Sequence, residues 1–379
     1  MTATAIPSPL DGVKPYKSLL NEELQARINA VREEWGSRLL ILGHHYQQDE
    51  VIDLADLRGD SYQLSQMAAD SSDCRAIAFC GVHFMAETAD ILANRPEKLA
   101  QRGGERVRVM LPDLAAGCSM ADMAGIEQIE DAWDQLSEVI DTERLIPVTY
   151  INSAASLKAF VGRHGGIVCT SSNARAAIEW AFARGDRVMF FPDQHLGRNT
   201  ALGMGIGNDR MPVWNPHADE LGGNTEQQLA DSKVILWRGH CSVHQMFKAE
   251  HVDLFRKNHL GIQVLVHPEC PQEVFEIADR SGSTGAIINA VREAPAGSKW
   301  AIGTELHLVN RLKQEHPEQE IHFLSPVVCM CATMYRIDLA HLCWTLENLA
   351  AGTPVNTIEV DEETSRWSLV ALERMLEVK

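Results

Sequence analysis

Short aliphatic runs recur along the chain, and each ends in polar, reactive residues. The clearest set is LLILGHHYQ (39–47), IPVTYINSA (146–154) and IQVLVHPEC (262–270). Runs this apolar, without alternation, suit strands of a parallel sheet covered on both faces. A small-polar turn opening a helical pattern comes next: GDSYQLSQMA (59–68), TSSNARAAIEW (170–180) and GSTGAIINAV (282–291). Ser and Thr are good N-caps, and the free amides of a helix start can hold phosphate or carboxylate. A third set runs from a strand to a histidine: AIAFCGVHFMAETA (76–89), VMFFPDQHLGRNTA (188–201) and WAIGTELHLVNRL (300–312). The histidines His83, His195 and His307 are equally spaced. In the fourth set a strand leads to a cysteine placed at the opening of a helix: VRVMLPDLAAGCSMADM (107–123), VILWRGHCSVHQMF (234–247) and IHFLSPVVCMCATMYRI (321–337).

Four segment types recurring three times in one order predict three copies of one supersecondary unit. A helical stretch precedes each first strand. The predicted architecture is α/β: three homologous three-layer αβα domains related by a pseudo-threefold axis. The boundaries read as an N-terminal extension over 1–20, then units over 21–118, 119–241 and 242–331, then a C-terminal helical segment over 332–379. The second unit carries an insertion at about 199–231, rich in Gly, Asn, Met and Pro and expected at the surface. Ligands of α/β sheets gather at the carboxyl ends of the strands. Each repeated polar motif lies at such an end, so the active site is expected at the central domain junction.

Composition narrows the chemistry. The chain has 379 residues, 45% hydrophobic and 23% charged, as in an ordinary globular protein. Its net charge of −18 argues against nucleic acid, which needs a clustered basic surface. There is no apolar stretch of membrane-spanning length and no signal-peptide pattern, so the expectation is a cytoplasmic protein with no membrane partner. In that reducing compartment the nine cysteines are core residues, metal ligands or catalytic thiols rather than disulfides.

The cysteines in register are Cys118, Cys241 and Cys331. Cys329 is a near rival, but the helical pattern begins directly after Cys331, so register favours Cys331 and leaves Cys329 as a spare thiol. Cys74, Cys80, Cys169, Cys270 and Cys343 share no register and read as core or strand residues. No C-x-x-C pair exists, which excludes zinc ribbons and thioredoxin-type sites. A helix start would lower a thiol pKa and favour the thiolate that a metal needs. Three soft thiolates converging on one point suit an iron–sulfur cluster, and a [4Fe–4S] cluster on three protein ligands keeps one iron open as a Lewis acid. At the strand ends His44, Tyr46, Tyr150, Asn152, His267 and Glu269 offer acid, base and hydrogen-bonding groups. On an extended segment His267 and Glu269 would share a face.

Taken together, GHHYQ, GDS, GVHFMAETA, the Cys118 segment, TYINSAA, CTSSNA, FPDQHLGRN, GHCSVHQ, VHPECP, GSTGAI and CATMYRIDL resemble the quinolinate synthase family. The resemblance runs from about residue 37 to the C-terminal helix. It implies a transferase-type condensation of iminoaspartate with dihydroxyacetone phosphate, building the pyridine ring in de novo NAD biosynthesis with loss of phosphate and water. It also implies one [4Fe–4S] cluster per chain on Cys118, Cys241 and Cys331. The same resemblance gives His44 and Tyr46 to the triose isomerisation and dehydration steps, and Glu269 the role of general base. Tyr150, Asn152, His244 and His267 would line the pocket, with Ser61, Ser171, Ser283 and Thr284 on phosphate or carboxylate groups. The unstable iminoaspartate implies a functional link to an aspartate oxidase or dehydrogenase. Some relatives carry a C-x-x-C around the last ligand, where this chain has Cys329-x-Cys331. Two other readings compete: a hydro-lyase of the aconitase type, which would not need so many His, Tyr and Glu residues, and an iron–sulfur sensor, which should carry a basic output module.

Overall fold

The computed structural model describes residues 12–70, 73–328 and 330–378. Three separate sheets are built from the three repeats. In the first repeat α1 (Asn21–Trp35) leads into β1 (Leu39–His44), α2 (Asp49–Ile52), β2 (Leu57–Gly59), α3 (Ser61–Asp70), β3 (Ala76–Cys80), α4 (His83–Ala93), α5 (Pro96–Gln101) and β4 (Arg108–Met110). The second runs α6 (Ile126–Val139), β5 (Leu145–Tyr150), α7 (Ala155–Arg163), β6 (Ile167–Cys169), α8 (Ala174–Phe182), β7 (Arg187–Phe191) and α9 (Gln194–Gly203), then β8 (Val213–Trp214), α10 (Glu226–Asp231) and β9 (Val234–Trp237). The third runs α11 (Ala249–Asn258), β10 (Gln263–Val266), α12 (Gln272–Phe275), β11 (Arg280–Ser281), α13 (Thr284–Arg292), β12 (Lys299–Gly303), α14 (Leu306–Glu315) and β13 (Glu320–Phe323). The chain closes with α15 (Leu339–Ala350), β14 (Thr357–Ile358) and α16 (Glu362–Glu377).

Each sheet places its first strand between its second and third, with the fourth beyond the third, and all these neighbours are parallel. The aliphatic runs explain why: β3, β5, β6 and β9 are buried at every residue, as two-sided cover demands. The sheets differ at the edge beyond the fourth strand. Antiparallel β14 extends the first, and the 199–231 insertion supplies β8 to the second, where it pairs in parallel with β9. The insertion is therefore partly structural, and its Trp214 is buried.

The chain divides into two compact units. Unit one comprises residues up to Gly59, Gln63–Gly117 and Ala332–Glu359; unit two comprises Asp60–Tyr62, Cys118–Cys331 and Val360–Lys379. In unit one α15 packs on α1. In unit two α16 lies along α7 at a place where Gly162 is required, since a Cβ there would sit 2.0 Å from the carbonyl oxygen of Trp367. Ser368 fixes the same contact by donating to the Ala155 carbonyl at 2.8 Å. Of the C-terminal segment, residues 332–359 thus belong to unit one and residues 360–379 to unit two. Among the described residues, no helix is long and apolar enough to cross a membrane.

Candidate functional site

The cysteine loops carry the first difference from the sequence reading. No α-helix opens directly after a cysteine. In each repeat a single 3-10 turn begins three residues on, at Ala121, His244 and Met334. The α-helix then starts at the eighth residue after Cys118, Cys241 and Cys331, with α6, α11 and α15. Helical composition hid the stop: Asp338, read as helix interior, is the N-cap of α15 and accepts the His341 N–H at 2.8 Å. Gly125 and Lys248 stand in the same place before the other two helices.

The electrostatics differ accordingly. With no helix end beside it, the Cys118 thiol is pushed up by burial to about 12, although the residue keeps some solvent contact. Burial also raises Cys241, and Glu269 adds to the effect. Cys118 and Cys331 raise it further, and Cys331 acts likewise on Cys118, so the three sulfurs of unit two lie within electrostatic reach of one another. Two neighbouring thiols that resist ionisation, Cys118 and Cys241, fit a site where a bound metal, not the fold, removes the protons. Cys329 lies outside the described residues. Cys74, Cys80, Cys169, Cys270 and Cys343 are buried.

Beside Cys241 the chain assembles a polar cluster at the carboxyl ends of β5 and β10. Tyr150, the last residue of β5, hydrogen-bonds to Glu269. His244 Nδ1 lies 2.9 Å from Glu269 Oε2, and a carboxylate only accepts, so this nitrogen carries the proton. Its Nε2 meets Thr304 Oγ1 at 3.2 Å. His267 stacks on His244 with ring centroids 4.6 Å apart. Burial drives His267 down to about 3, so its ring is neutral at physiological pH. Burial alone would raise the Glu269 carboxyl, but His267, His244 and Tyr150 outweigh it and hold the group below the usual carboxylate range. The donor atoms of Cys241, His244 and Glu269 all fall within 4.8 Å of one another.

His267 and Glu269 do come together, but not as neighbours on an extended strand. They occupy a turn around Pro268, in which the Glu269 N–H donates to His267 Nδ1 at 3.3 Å. Buried Asn199 clamps this turn, donating from Nδ2 to the carbonyls of Pro268 and Cys270 at 2.9 and 2.8 Å.

Four further residues support the cysteine loops. Asp193 caps α9 by accepting the Leu196 N–H at 2.7 Å, and Glu305 caps α14 by accepting from His307 and Leu308. The peptide N–H groups of Cys241 and Cys331 also favour the charged forms of these two carboxyls, Asp193 and Glu305 respectively. Burial pushes both carboxyls up, Glu305 to about 7. Gly239 permits the approach, because a Cβ there would lie 2.2 Å from the Pro192 carbonyl oxygen. His195, from the equally spaced set, holds Gln245 of the Cys241 loop at 2.6 Å. Asp193 and Glu305 each stand two residues before a histidine of that set, so aligning the repeats could have found them.

The other expected residues take varied places. His44 ends β1 in unit one, and its ring meets Tyr46 edge-on at 4.7 Å. Asn152 has a buried Oδ1 without a hydrogen-bond partner. Ser283 caps α13 by accepting the Ala286 N–H, Thr284 is the first residue of that helix, and Ser61 is the first of α3. Ser171 sits in the turn ahead of α8, not at the helix start itself.

Residues 26–377 match the family model described as NadA, Quinolinate synthetase A protein. A quinolinate synthase from Rhodopirellula baltica is 75% identical over 370 residues, covering 98% of this chain and 94% of that protein. One from Corynebacterium glutamicum is 53% identical over 363 residues, covering 96% and 89%. One from Geobacillus kaustophilus is also 53% identical over 363 residues, covering 96% and 95%. With the family model spanning nearly the whole chain, the chain belongs to the quinolinate synthetase A family.

Proposed function

We propose that the chain is an enzyme of de novo NAD biosynthesis that condenses iminoaspartate with dihydroxyacetone phosphate to quinolinate, releasing phosphate and water. The observation that carries this reading is the meeting, within unit two, of three mutually interacting thiols with the Tyr150–Glu269–His244 chain.

Cys118, Cys241 and Cys331 would hold a [4Fe–4S] cluster, which their soft donor set suits. When bound, it supplies an open iron as Lewis acid toward a substrate hydroxyl or carboxylate. The protein's own groups handle protons and anions. Glu269, ionised at neutral pH, is ready to accept a proton from carbon next to a carbonyl or imine, and His244 Nδ1–H supports its charge. Tyr150 bonds the same carboxylate and can return a proton to a departing hydroxyl. Asn152 directs an unmet amide oxygen toward a donor such as a substrate nitrogen. Ser283 and Thr284 at the start of α13, with Ser61 and Ser171, are assigned the phosphate and carboxylate groups. His44 and Tyr46 are assigned the triose steps. A cytoplasmic location and supply of iminoaspartate by an aspartate oxidase or dehydrogenase complete the proposal.

Anaerobic purification with iron and sulfide analysis, followed by an assay for quinolinate from the two substrates, tests it. A cluster-bearing, active enzyme is expected. A colourless protein that stays inactive after reconstitution would overturn the reading. Cys331→Ser should abolish iron retention while Cys329→Ser keeps it; the reverse result would move the third ligand by two residues.

A further inference from the structure

Away from the cysteines, unit two carries a second group of histidines and a carboxylate. His259 follows α11 as its C-cap, and Glu320 and His322 lie on β13, the edge strand of the third sheet. Residues two apart on a strand share a face, so Glu320 and His322 project together. His259 Nδ1 is 2.6 Å from Glu320 Oε1, and His322 Nε2 is 2.9 Å from the same oxygen. The two imidazoles are 4.3 Å apart between centroids. Phe255 lies 5.7 Å from each ring, stacked on His259 and tilted to His322, and so limits their rotation. Lys299 engages the other carboxylate oxygen, Oε2, at 3.3 Å, which turns Oε1 toward the imidazoles. The side chains are 28%, 37% and 29% exposed, so solutes reach them.

We propose that His259, Glu320 and His322 form a binding site for a late first-row divalent cation such as Zn²⁺, separate from the cysteine centre. Two imidazole nitrogens and one carboxylate oxygen are a donor set for zinc, nickel or copper rather than for magnesium or calcium. In a tetrahedral zinc site with bonds of about 2.0–2.1 Å, neighbouring donor atoms stand roughly 3.3 Å apart. From their hydrogen-bonded spacings of 2.6 and 2.9 Å to Glu320 Oε1, the His259 and His322 donors need to open by about 0.7 and 0.4 Å. Each neutral imidazole would move its proton to its other nitrogen, and water would fill the remaining position. The ion would tie the end of α11 to the edge of the third sheet. None of the three residues has a part in the proposed reaction.

Anaerobic calorimetric titration of Zn²⁺ into the cluster-loaded enzyme tests the site, because the loaded cluster occupies the thiols. One saturable Zn²⁺ site per chain is expected, with Mg²⁺ giving no heat of binding. The His259→Gln/His322→Gln double variant should weaken Zn²⁺ at least tenfold while its iron content and quinolinate formation stay unchanged, which shows that it is folded. Absence of saturable binding by the intact enzyme, or equal binding by the double variant, would overturn the proposal.

Discussion

Unit two contains two groups of the same composition, each a glutamate between two histidines. The inner group, His244–Glu269–His267, has side chains only 2–4% exposed, whereas the outer group, His259–Glu320–His322, remains open to solvent. Both carboxyls titrate below the usual range, for different reasons. Glu320 is drawn down to about 2 chiefly by hydrogen bonds to His322 and His259. Glu269 must overcome burial first, which it does through its two histidines and Tyr150. The same burial strips the proton from His267. Burying the group fixes its protonation and makes each hydrogen bond costly to lose. Leaving it in water keeps the partners exchangeable, so an ion can take the place of a proton.

The strongest way to break this comparison is to neutralise each carboxylate. Glu269→Gln should lower kcat for quinolinate formation by about a thousandfold, the range expected for loss of a positioned acid–base group. Glu320→Gln should leave it within about twofold. A Glu269→Gln enzyme retaining a tenth of the activity would place the proton transfer elsewhere. Asn199→Ala comes next in size. It frees the turn that carries His267 and Glu269, and a misplacement of about 1 Å can cost roughly a hundredfold in rate. The expected signature is a fall in kcat with iron per chain and the pH profile unchanged; a shifted pH profile would mean that Asn199 tunes Glu269 rather than positions it.

Much of this arrangement was legible in the sequence because parallel strands advertise themselves. Runs such as VMFF and VILW suit strands covered on both faces, and their threefold recurrence marks the three sheets. The loops were harder. SMADM, SVHQM and ATMYRI have helical composition, yet each is a single 3-10 turn, because the extended residues Gly125, Lys248 and Asp338 delay the helices. Asn199 could not be read as a clamp, since its partners are carbonyls of a turn more than sixty residues further on. The outer group was invisible for a similar reason: a helix end and an edge strand bring it together, and no local spacing joins His259 to Glu320.

A smaller effect separates the groups by pH. The unfolded chain protonates His267 near its ordinary 6.5, but the fold resists until about 3. Between those values the unfolded state holds the extra proton, so stability falls as pH falls. In cluster-free protein His267→Gln should flatten that decline by up to ~1.4 kcal/mol per pH unit. Urea midpoints from pH 6 to 4 measure it, and parallel lines for the two proteins would show His267 to be protonated in the fold.

The smallest expected effect concerns Lys299, whose ammonium bonds the far oxygen of Glu320. It orients the carboxylate but repels a divalent ion bound at the near oxygen. At a separation of about 6 Å in a water-like dielectric the repulsion is roughly 1 kcal/mol before salt screening reduces it. Lys299→Met should therefore tighten Zn²⁺ about threefold at physiological salt and more at low salt, with quinolinate formation unaltered. Weaker binding in this variant would mean that orientation outweighs repulsion. In that case the outer group would depend on its fixed geometry much as the inner one does, and exposure alone would no longer distinguish the two.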